Sequence, residues 1–261
     1  MSKKLGFALG SGGSRGVAHI GFLKAMEENG IKPDFIAGTS MGSVVGACYS
    51  IGMTADELLG EIMKLKVSDI IDVSMNPMGG SLLRSKKLRK KLYTYLKDGT
   101  FNQTKIPFRC VATDLYTGSA KVFSGEESIL DGVVASSSIP SVFKPMPYNE
   151  QLLVDGGLVS RVPTQEVRDM GAEVVVGLDV LGQLRPTHKK FNMFTLLLRV
   201  YDIMDVQVAN FKAKESKADL LLEVELGNMS QYKLKQFDFA YQQGYDIGMA
   251  NAEKIKALIK D

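Results

Sequence analysis

The sequence predicts an α/β fold with three layers, in which helices flank both faces of a central, mostly parallel sheet. Three short apolar runs, residues 5–9, 35–37 and 173–181, have the length and composition of buried strands. A segment with helical apolar spacing follows the first run, and a small-residue apolar helix pattern follows the second. Alternation of buried strands and helices is typical of a parallel sheet that is covered on both faces.

A glycine-rich loop, residues 10–16, follows the first predicted strand and leads into a helix. Its backbone N–H groups would be free to donate to an anion. One interpretation is a dinucleotide site, but Asp34 precedes the second strand, whereas a ribose-binding acid should follow it. In the other interpretation the loop is an oxyanion hole, because it and residues 38–42 follow consecutive strands and should meet at one sheet edge.

Residues 38–42 read Gly-Thr-Ser-Met-Gly, the Gly-x-Ser-x-Gly pattern of a nucleophile elbow. A serine on a sharp strand-to-helix turn has a strained backbone, so small neighbours such as Gly38 and Gly42 are needed. The dipole of the following helix favours negative charge that develops at Ser40. The pentapeptide alone also fits a small-residue turn with a surface serine, but the strand before it and the helix after it favour a nucleophile.

The rest of the chain continues with predicted helices and strands. Helices are predicted at 54–67, 82–96, 129–135, 162–170, 191–214 and 237–259, and strands at 108–114, 119–123, 152–154 and 220–224. Thr54 and Glu57 resemble a capping box at the start of the first of these helices. We find no internal repeat or linker, so a single domain over 1–261 is predicted, with a core at about 5–181 and an extension at 182–261.

Three later segments each allow two interpretations. The basic helix at 82–96 has either a solvated face or a surface that meets anionic headgroups through Lys86, Lys87, Lys90 and Lys91. The helix at 191–214 carries a Met- and Phe-rich apolar stripe that belongs either to the core or to a lid or acyl-chain groove. Its members are Phe194, Leu197, Leu198, Tyr201, Met204, Val208 and Phe211. Asp155, at the end of a short strand and followed by two glycines, marks either a site of chemistry or a common turn.

The composition is that of an ordinary globular protein, with 45% hydrophobic and 23% charged residues. A net charge of +3 is too small to indicate binding to nucleic acid. Cys48 and Cys110 lie in apolar stretches without disulfide or zinc spacing, which favours buried, reduced thiols. The N-terminal apolar run is too short for a signal peptide, and no run approaches a membrane span, so we expect a cytoplasmic protein.

Four stretches together resemble the patatin-like phospholipase family, and specifically its small bacterial members. They are the glycine loop at 10–16, the elbow at 38–42, the Ala-Ser-Ser-Ser-Ile-Pro stretch at 135–140 with Phe143 and Pro145, and the Asp-Gly-Gly motif at 155–157. The glycine loop departs from the family pattern at one position, because Ser11 stands in place of its first glycine.

The resemblance implies that Ser40 is the nucleophile and Asp155 the base, without a histidine. It also implies an oxyanion hole and a set of glycines that support the motifs. The implied oxyanion residues are Gly12, Gly13, Ser14 and Arg15, and the supporting glycines are Gly10, Gly16, Gly38, Gly42, Gly156 and Gly157. The implied reaction is hydrolysis of a lipid acyl ester through an acyl-serine, as in a phospholipase A, a lysophospholipase or a carboxylesterase, with no metal or cofactor. The expected partner is a lipid or ester substrate, with peripheral contact to a membrane surface as an open alternative.

Other readings of the residues stay open. His188 follows Ser40 and Asp155 in the chain order of a Ser-Asp-His esterase. His19, on the helix after the glycine loop, is either a loop-supporting residue or a general base. A regulatory or nucleotide-binding module could keep the fold and the glycine loop without catalysis. The sequence gives no prediction of the oligomeric state.

Overall fold

A central sheet organises the protein in its computed structural model, which describes residues 2–70, 85–184, 186, 190–215 and 218–260. The strands are β1 (Leu5–Leu9), β2 (Phe35–Thr39), β3 (Phe108–Asp114), β4 (Ala120–Phe123), β5 (Met146–Tyr148), β6 (Gln151–Asp155), β7 (Val174–Asp179) and β8 (Leu220–Glu223). The helices are α1 (Val17–Glu28), α2 (Met41–Ser50), α3 (Ala55–Met63), α4 (Val67–Ile70), α5 (Lys86–Leu96), α6 (Ile129–Ser136), α7 (Thr164–Arg168), α8 (Met193–Glu215) and α9 (Phe237–Ile259).

The strands lie in the order β5-β6-β3-β2-β1-β7-β8, and β4 also pairs with β3. The five strands from β3 to β8 in this order are parallel. By contrast, β4 and β6 run antiparallel to β3, and β5 runs antiparallel to β6. The predicted α/β fold with a mostly parallel central sheet is therefore confirmed. The short strand β5 was not predicted, because Pro147 within it argues against a strand except at a sheet edge, where β5 lies.

Alternate residues of β1 face different helical layers, as the two-residue period of a strand requires. Phe7 lies in the larger core beneath α1, where its ring meets that of Phe22 edge to face at 5.1 Å. On the other face, Ala8 and Ala37 pack with Val167 of α7 in a smaller core. The sheet is thus buried on both sides, as the unbroken apolar runs of β1 and β7 indicate.

The last helix, α9, is continuous although two glycines interrupt its apolar pattern. A Cβ atom on Gly244 would lie 1.9 Å from the carbonyl oxygen of Ala18 in α1, and one on Gly21 of α1 would lie 2.0 Å from the carbonyl oxygen of Tyr241. These glycines let the two helix backbones approach closely, so the interruption reflects packing rather than a break. None of the described helices is both long enough and apolar enough to cross a membrane.

The basic helix α5 has several of its charges paired locally. Arg89 forms an ion pair with Asp131, Lys91 forms one with Glu61, and Lys87 donates to the carbonyl oxygen of Ser68. These contacts support the solvated-face interpretation. Residues 82–84, which the sequence also assigns to this helix, lie outside the described residues.

Helix α8 is not the core helix that its apolar stripe would suggest. Leu198 is buried, but Leu197, Met204 and Phe211 of the same predicted stripe are exposed. The core interpretation is therefore wrong for these three residues. Periodicity locates an apolar stripe, but it does not say whether another element covers it.

Candidate active site

Ser40 lies on the turn between β2 and α2 with φ 54° and ψ −123°, a sparsely populated conformation for a residue with a side chain. Both flanking glycines are needed here. A Cβ atom on Gly38 would lie 2.4 Å from the carbonyl oxygen of Gly42, and one on Gly42 would lie 2.1 Å from that of Leu9. The strand, the strained turn and the helix of a nucleophile elbow are thus all present.

Asp155 meets Ser40 directly. The Ser40 hydroxyl donates to Oδ2 of Asp155 at 2.5 Å, and both residues are buried, with exposed fractions of 4% and 1%. The sheet register explains the meeting, because Thr39 pairs with Val111 of β3 and Asp155 pairs with the next residue, Ala112. The expectation that Asp155 sits at the end of a strand holds, but β6 is antiparallel and reaches the site only because it stops opposite Ala112.

Burial raises the pKa of Asp155 to about 6, because a charged carboxylate loses its hydration in the interior. Hydrogen bonds from the Ser40 hydroxyl, the Gly157 N–H and the Tyr201 hydroxyl oppose this rise by stabilising the charged form. The carboxylate is therefore ionised at neutral pH and more basic than an ordinary aspartate. A general base for a serine hydroxyl needs this combination.

Serines at the end of α6 hold the backbones of both residues. The Ser136 hydroxyl accepts a hydrogen bond from the Ser40 N–H at 2.9 Å, and the Ser138 carbonyl accepts one from the Asp155 N–H at 3.0 Å. On the other side of β6, the Thr113 hydroxyl donates to the Asp155 carbonyl at 2.8 Å. These serines were not predicted to have a role, although the stretch that contains them is one of the four motifs.

The glycine loop offers fewer free donors than expected. The N–H of Ser14 donates to the Gln231 carbonyl at 2.9 Å, and that of Arg15 donates to the Gly12 carbonyl at 3.0 Å. The expectation that Ser14 and Arg15 supply oxyanion donors is therefore wrong for their backbone groups, since both already have acceptors. Within the described part of the chain, the N–H groups of Gly12 and Gly13 donate to no backbone acceptor.

Arg15 and Ser14 instead fasten the loop to a distant segment. The Arg15 guanidinium donates to the carbonyl oxygens of Leu181, Gly227 and Met229 at 2.7–3.0 Å, and the Ser14 hydroxyl donates to that of Ser230 at 2.8 Å. Such planar, multiple donation is a property of arginine that lysine lacks.

Gly13 completes this attachment to the 227–231 segment. It has φ 51°, and a Cβ atom there would lie 2.3 Å from the Gln231 carbonyl oxygen. The other supporting glycines are also crowded. A Cβ atom would lie 2.2–2.9 Å from a neighbouring atom at Gly10, Gly16, Gly156 and Gly157, and 2.3 Å from one at Gly12.

His19 supports the loop rather than the reaction. It is fully buried, and its Nε2 donates to the Gly10 carbonyl at 2.8 Å. Burial lowers its pKa to about 4, so the ring is neutral near pH 7. His188, the histidine of the alternative triad, lies outside the described residues.

Three further residues at the site were not identified from the sequence. Met41 begins α2, so its N–H has no acceptor within the helix, and the elbow motif alone could have identified it as a donor. Tyr201, from α8, hydrogen bonds to Asp155. The Ser11 hydroxyl is buried without a partner in the described part of the structure, 3.3 Å from where a Cβ of Gly157 would lie. Ser11 lies in the predicted glycine loop, whereas no sequence signal predicted the position of Tyr201.

A cavity of about 570 Å³ is lined by Arg15, by residues of α8, by residues 181, 183, 184 and 186, and by the loop at 227–232. Its walls combine apolar side chains such as Leu198 and Val206 with the carboxylates of Asp202 and Asp205. Among the described residues, no cluster of three or more His, Cys, Asp or Glu side chains could hold a metal ion.

Comparison with known proteins relates the part of the chain that carries Ser40 and Asp155 to one family. The sequence model described as patatin-like phospholipase matches residues 7–168. An uncharacterized NTE family protein of Mycobacterium bovis is 32% identical over 185 residues, which cover 69% of this chain and 50% of that protein. The human patatin-like phospholipase domain-containing protein 6 is 30% identical over 187 residues, which cover 69% of this chain and 13% of that protein.

A solved structure shares the fold at lower sequence similarity. The crystal structure of VipD from Legionella pneumophila superposes with a TM-score of 0.57 and 15% identity, covering 97% of this chain and 67% of that one. The chain spans about half the length of the mycobacterial relative that it matches. With its family-model match from residue 7 to 168, the chain belongs to the patatin-like phospholipase family.

Proposed function

We propose that this protein is a serine hydrolase that cleaves acyl esters of lipids, with Ser40 as the nucleophile and Asp155 as its base. The observation that carries this proposal is a 2.5 Å hydrogen bond. It joins the hydroxyl of Ser40, which lies on the strained elbow, to the buried carboxylate of Asp155. One relative is named as a protein that contains a patatin-like phospholipase domain, and this name supports a lipid substrate.

In the first half of the reaction, Asp155 takes the hydroxyl proton while Ser40 Oγ attacks the ester carbonyl carbon. The tetrahedral intermediate places negative charge on the former carbonyl oxygen. The bond from carbon to the alcohol oxygen then breaks, and protonated Asp155 returns the proton to the leaving alcohol. The acyl group stays on Ser40.

The N–H groups of Gly12 and Gly13 are the proposed donors to this oxyanion, together with the N–H of Met41 at the start of α2. One donor of this type contributes about 2.7–4 kcal/mol to stabilisation of the transition state. Because the loop is held by Arg15 and the 227–231 segment, its donors need little reorganisation when the charge forms.

In the second half, water attacks the acyl-serine and Asp155 again accepts the proton. The intermediate collapses, Ser40 recovers its proton and the free acid leaves. Phospholipids, lysophospholipids and simpler carboxylic esters all fit this chemistry, which is that of a phospholipase A, a lysophospholipase or a carboxylesterase. Peripheral contact with a membrane would bring such substrates to the site.

Labelling with a fluorophosphonate tests the proposal, because this probe reacts with activated serines. We expect one probe per chain on the peptide that contains Ser40, and none in the Ser40→Ala variant. Asp155→Asn should label far more slowly than the wild type. Absence of labelling in the folded wild type, together with tight nucleotide binding, would favour a regulatory or nucleotide-binding module instead.

A further inference from the structure

Helix α8 presents an apolar face to solvent along most of its length. Seven side chains on this outer face are exposed by 41–74%. They are Met193, Leu196, Leu197, Val200, Ile203, Met204 and Phe211. Spacings of three and four residues place these side chains on one side of the helix. An exposed apolar surface of this kind on a folded chain marks an interaction site.

Two acids of α8, Asp202 and Asp205, point away from the outer face and into the protein. Asp202 accepts hydrogen bonds from Gln231 and Tyr232, and Asp205 lies 3.4 Å from the buried guanidinium of Arg161. The inner side of the helix is therefore fastened to the protein by polar contacts, and the seven exposed side chains of the outer face are apolar. This distribution fits an apolar partner and not a charged one.

The same helix lies directly at the proposed catalytic pair. Tyr201, between Val200 and Met204 in sequence, turns inward: a Cβ atom on Gly157 would lie 2.7 Å from the Tyr201 hydroxyl and 3.2 Å from Oδ1 of Asp155, whose charged form this hydroxyl stabilises. Ser40 is almost completely buried, so a substrate has to approach through the elements that surround it. One side of α8 thus contacts the catalytic acid while the other side is exposed and apolar.

We infer that the outer face of α8 binds the surface of a lipid aggregate, so that the catalytic pair lies at the interface from which its substrate comes. This inference rests on the proposed function for the identity of the substrate. A second copy of the chain would also cover apolar side chains. A second copy bound to α8 would, however, block the approach of substrate to Ser40, which is already buried. A lipid surface bound to α8 would instead bring the ester substrate to this side of the protein.

Binding to vesicles of a dialkyl ether phosphatidylcholine tests the inference, since these lipids have no acyl ester and catalysis cannot intervene. The test variant is Leu197→Ser/Met204→Ser. The matched control is Phe239→Ser/Met249→Ser, which removes two comparably exposed side chains from α9. We expect the wild type and the control to co-sediment with vesicles, and the α8 variant to partition at least about tenfold less.

Hydrolysis of p-nitrophenyl butyrate as a dissolved monomer separates this inference from the proposed function. The α8 variant should hydrolyse it at the wild-type rate, which also shows that the variant is folded. Equal vesicle partitioning of all three proteins, or none by any of them, would overturn the inference even if the ester is cleaved. So would a dimer in sedimentation that only the α8 variant loses. Lack of hydrolysis by a wild type that binds vesicles would instead contradict the proposed function.

Discussion

The Ser40 hydroxyl and the Asp155 carboxylate lie 2.5 Å apart, although 115 residues separate them in sequence. A single strand, β3, lies between the strands that carry them, and two serines of the α6 stretch fix their backbones. The pair is thus assembled before substrate arrives. Preorganisation of this kind is a major source of enzymatic rate enhancement, because little has to move during the reaction.

The first prediction concerns pH. Protonated Asp155 cannot accept the Ser40 proton, and burial raises its pKa to about 6. We therefore expect kcat/KM for a soluble ester to fall as the pH drops through about 6 and to level off above it. Rates measured from pH 4.5 to 8 give this profile. An acid limb near pH 4 would mean that the base is an ordinary exposed carboxylate.

Tyr201→Phe should shift the acid limb of the pH–rate profile to higher pH. The Tyr201 hydroxyl favours the charged form of Asp155, so its loss raises the pKa of the carboxyl further and moves the acid limb to higher pH. A merely structural loss would lower the rate without moving the limb. Tyr116→Phe, at an exposed tyrosine away from Asp155, is the control and should leave the profile unchanged.

Ser40→Gly should be more stable than Ser40→Ala by about 1 kcal/mol, because glycine relieves the strain of φ 54° while alanine keeps it. Urea unfolding of the two inactive variants measures the difference. At Ser43, which lies inside α2, the alanine variant should instead be more stable than the glycine variant, because alanine is the better helix former. An alanine variant as stable as the glycine variant at position 40 would contradict the strained elbow.

Gly13→Ala should lower kcat at least about tenfold, with a smaller effect on KM, because it displaces donors that act on the transition state. Gly30→Ala is the matched control, since Gly30 also has a positive φ but its Cβ would meet no atom within 4 Å. It should keep full activity at a modest cost in stability. An effect of Gly13→Ala confined to KM would assign the loop to ligand binding rather than to catalysis.

Local pattern was sufficient to predict the elbow, the glycine loop and the strands β1 and β3, because each depends on residues that are adjacent in sequence. The partners of the loop were not predictable in this way. Arg15 and Ser14 bond to carbonyl groups more than 160 residues away. Ser14 and Arg15 were wrongly predicted to be oxyanion donors. Their backbone N–H groups donate to carbonyl oxygens that only the folded structure identifies.

The direction of β6 and the exposure of the α8 stripe could not be predicted from the sequence either. The pattern of β6 predicts a strand that ends at Asp155, but an apolar run does not reveal that the strand is antiparallel. The stripe of α8 has the same periodicity whether a second layer covers it or solvent does. Tyr201 was read as part of that stripe, and its hydroxyl is what links α8 to the catalytic acid.

The dyad itself is tested most directly by comparing the turnover of Asp155→Asn and His188→Ala on one soluble ester. We expect Asp155→Asn to lower kcat by about 10²- to 10⁴-fold, the range that a general base contributes, while the variant keeps the acceptor for the Gly157 N–H. His188→Ala should stay within a few-fold of the wild type. If loss of His188 is as damaging as loss of Asp155, the base is a histidine and the Ser40–Asp155 dyad is wrong.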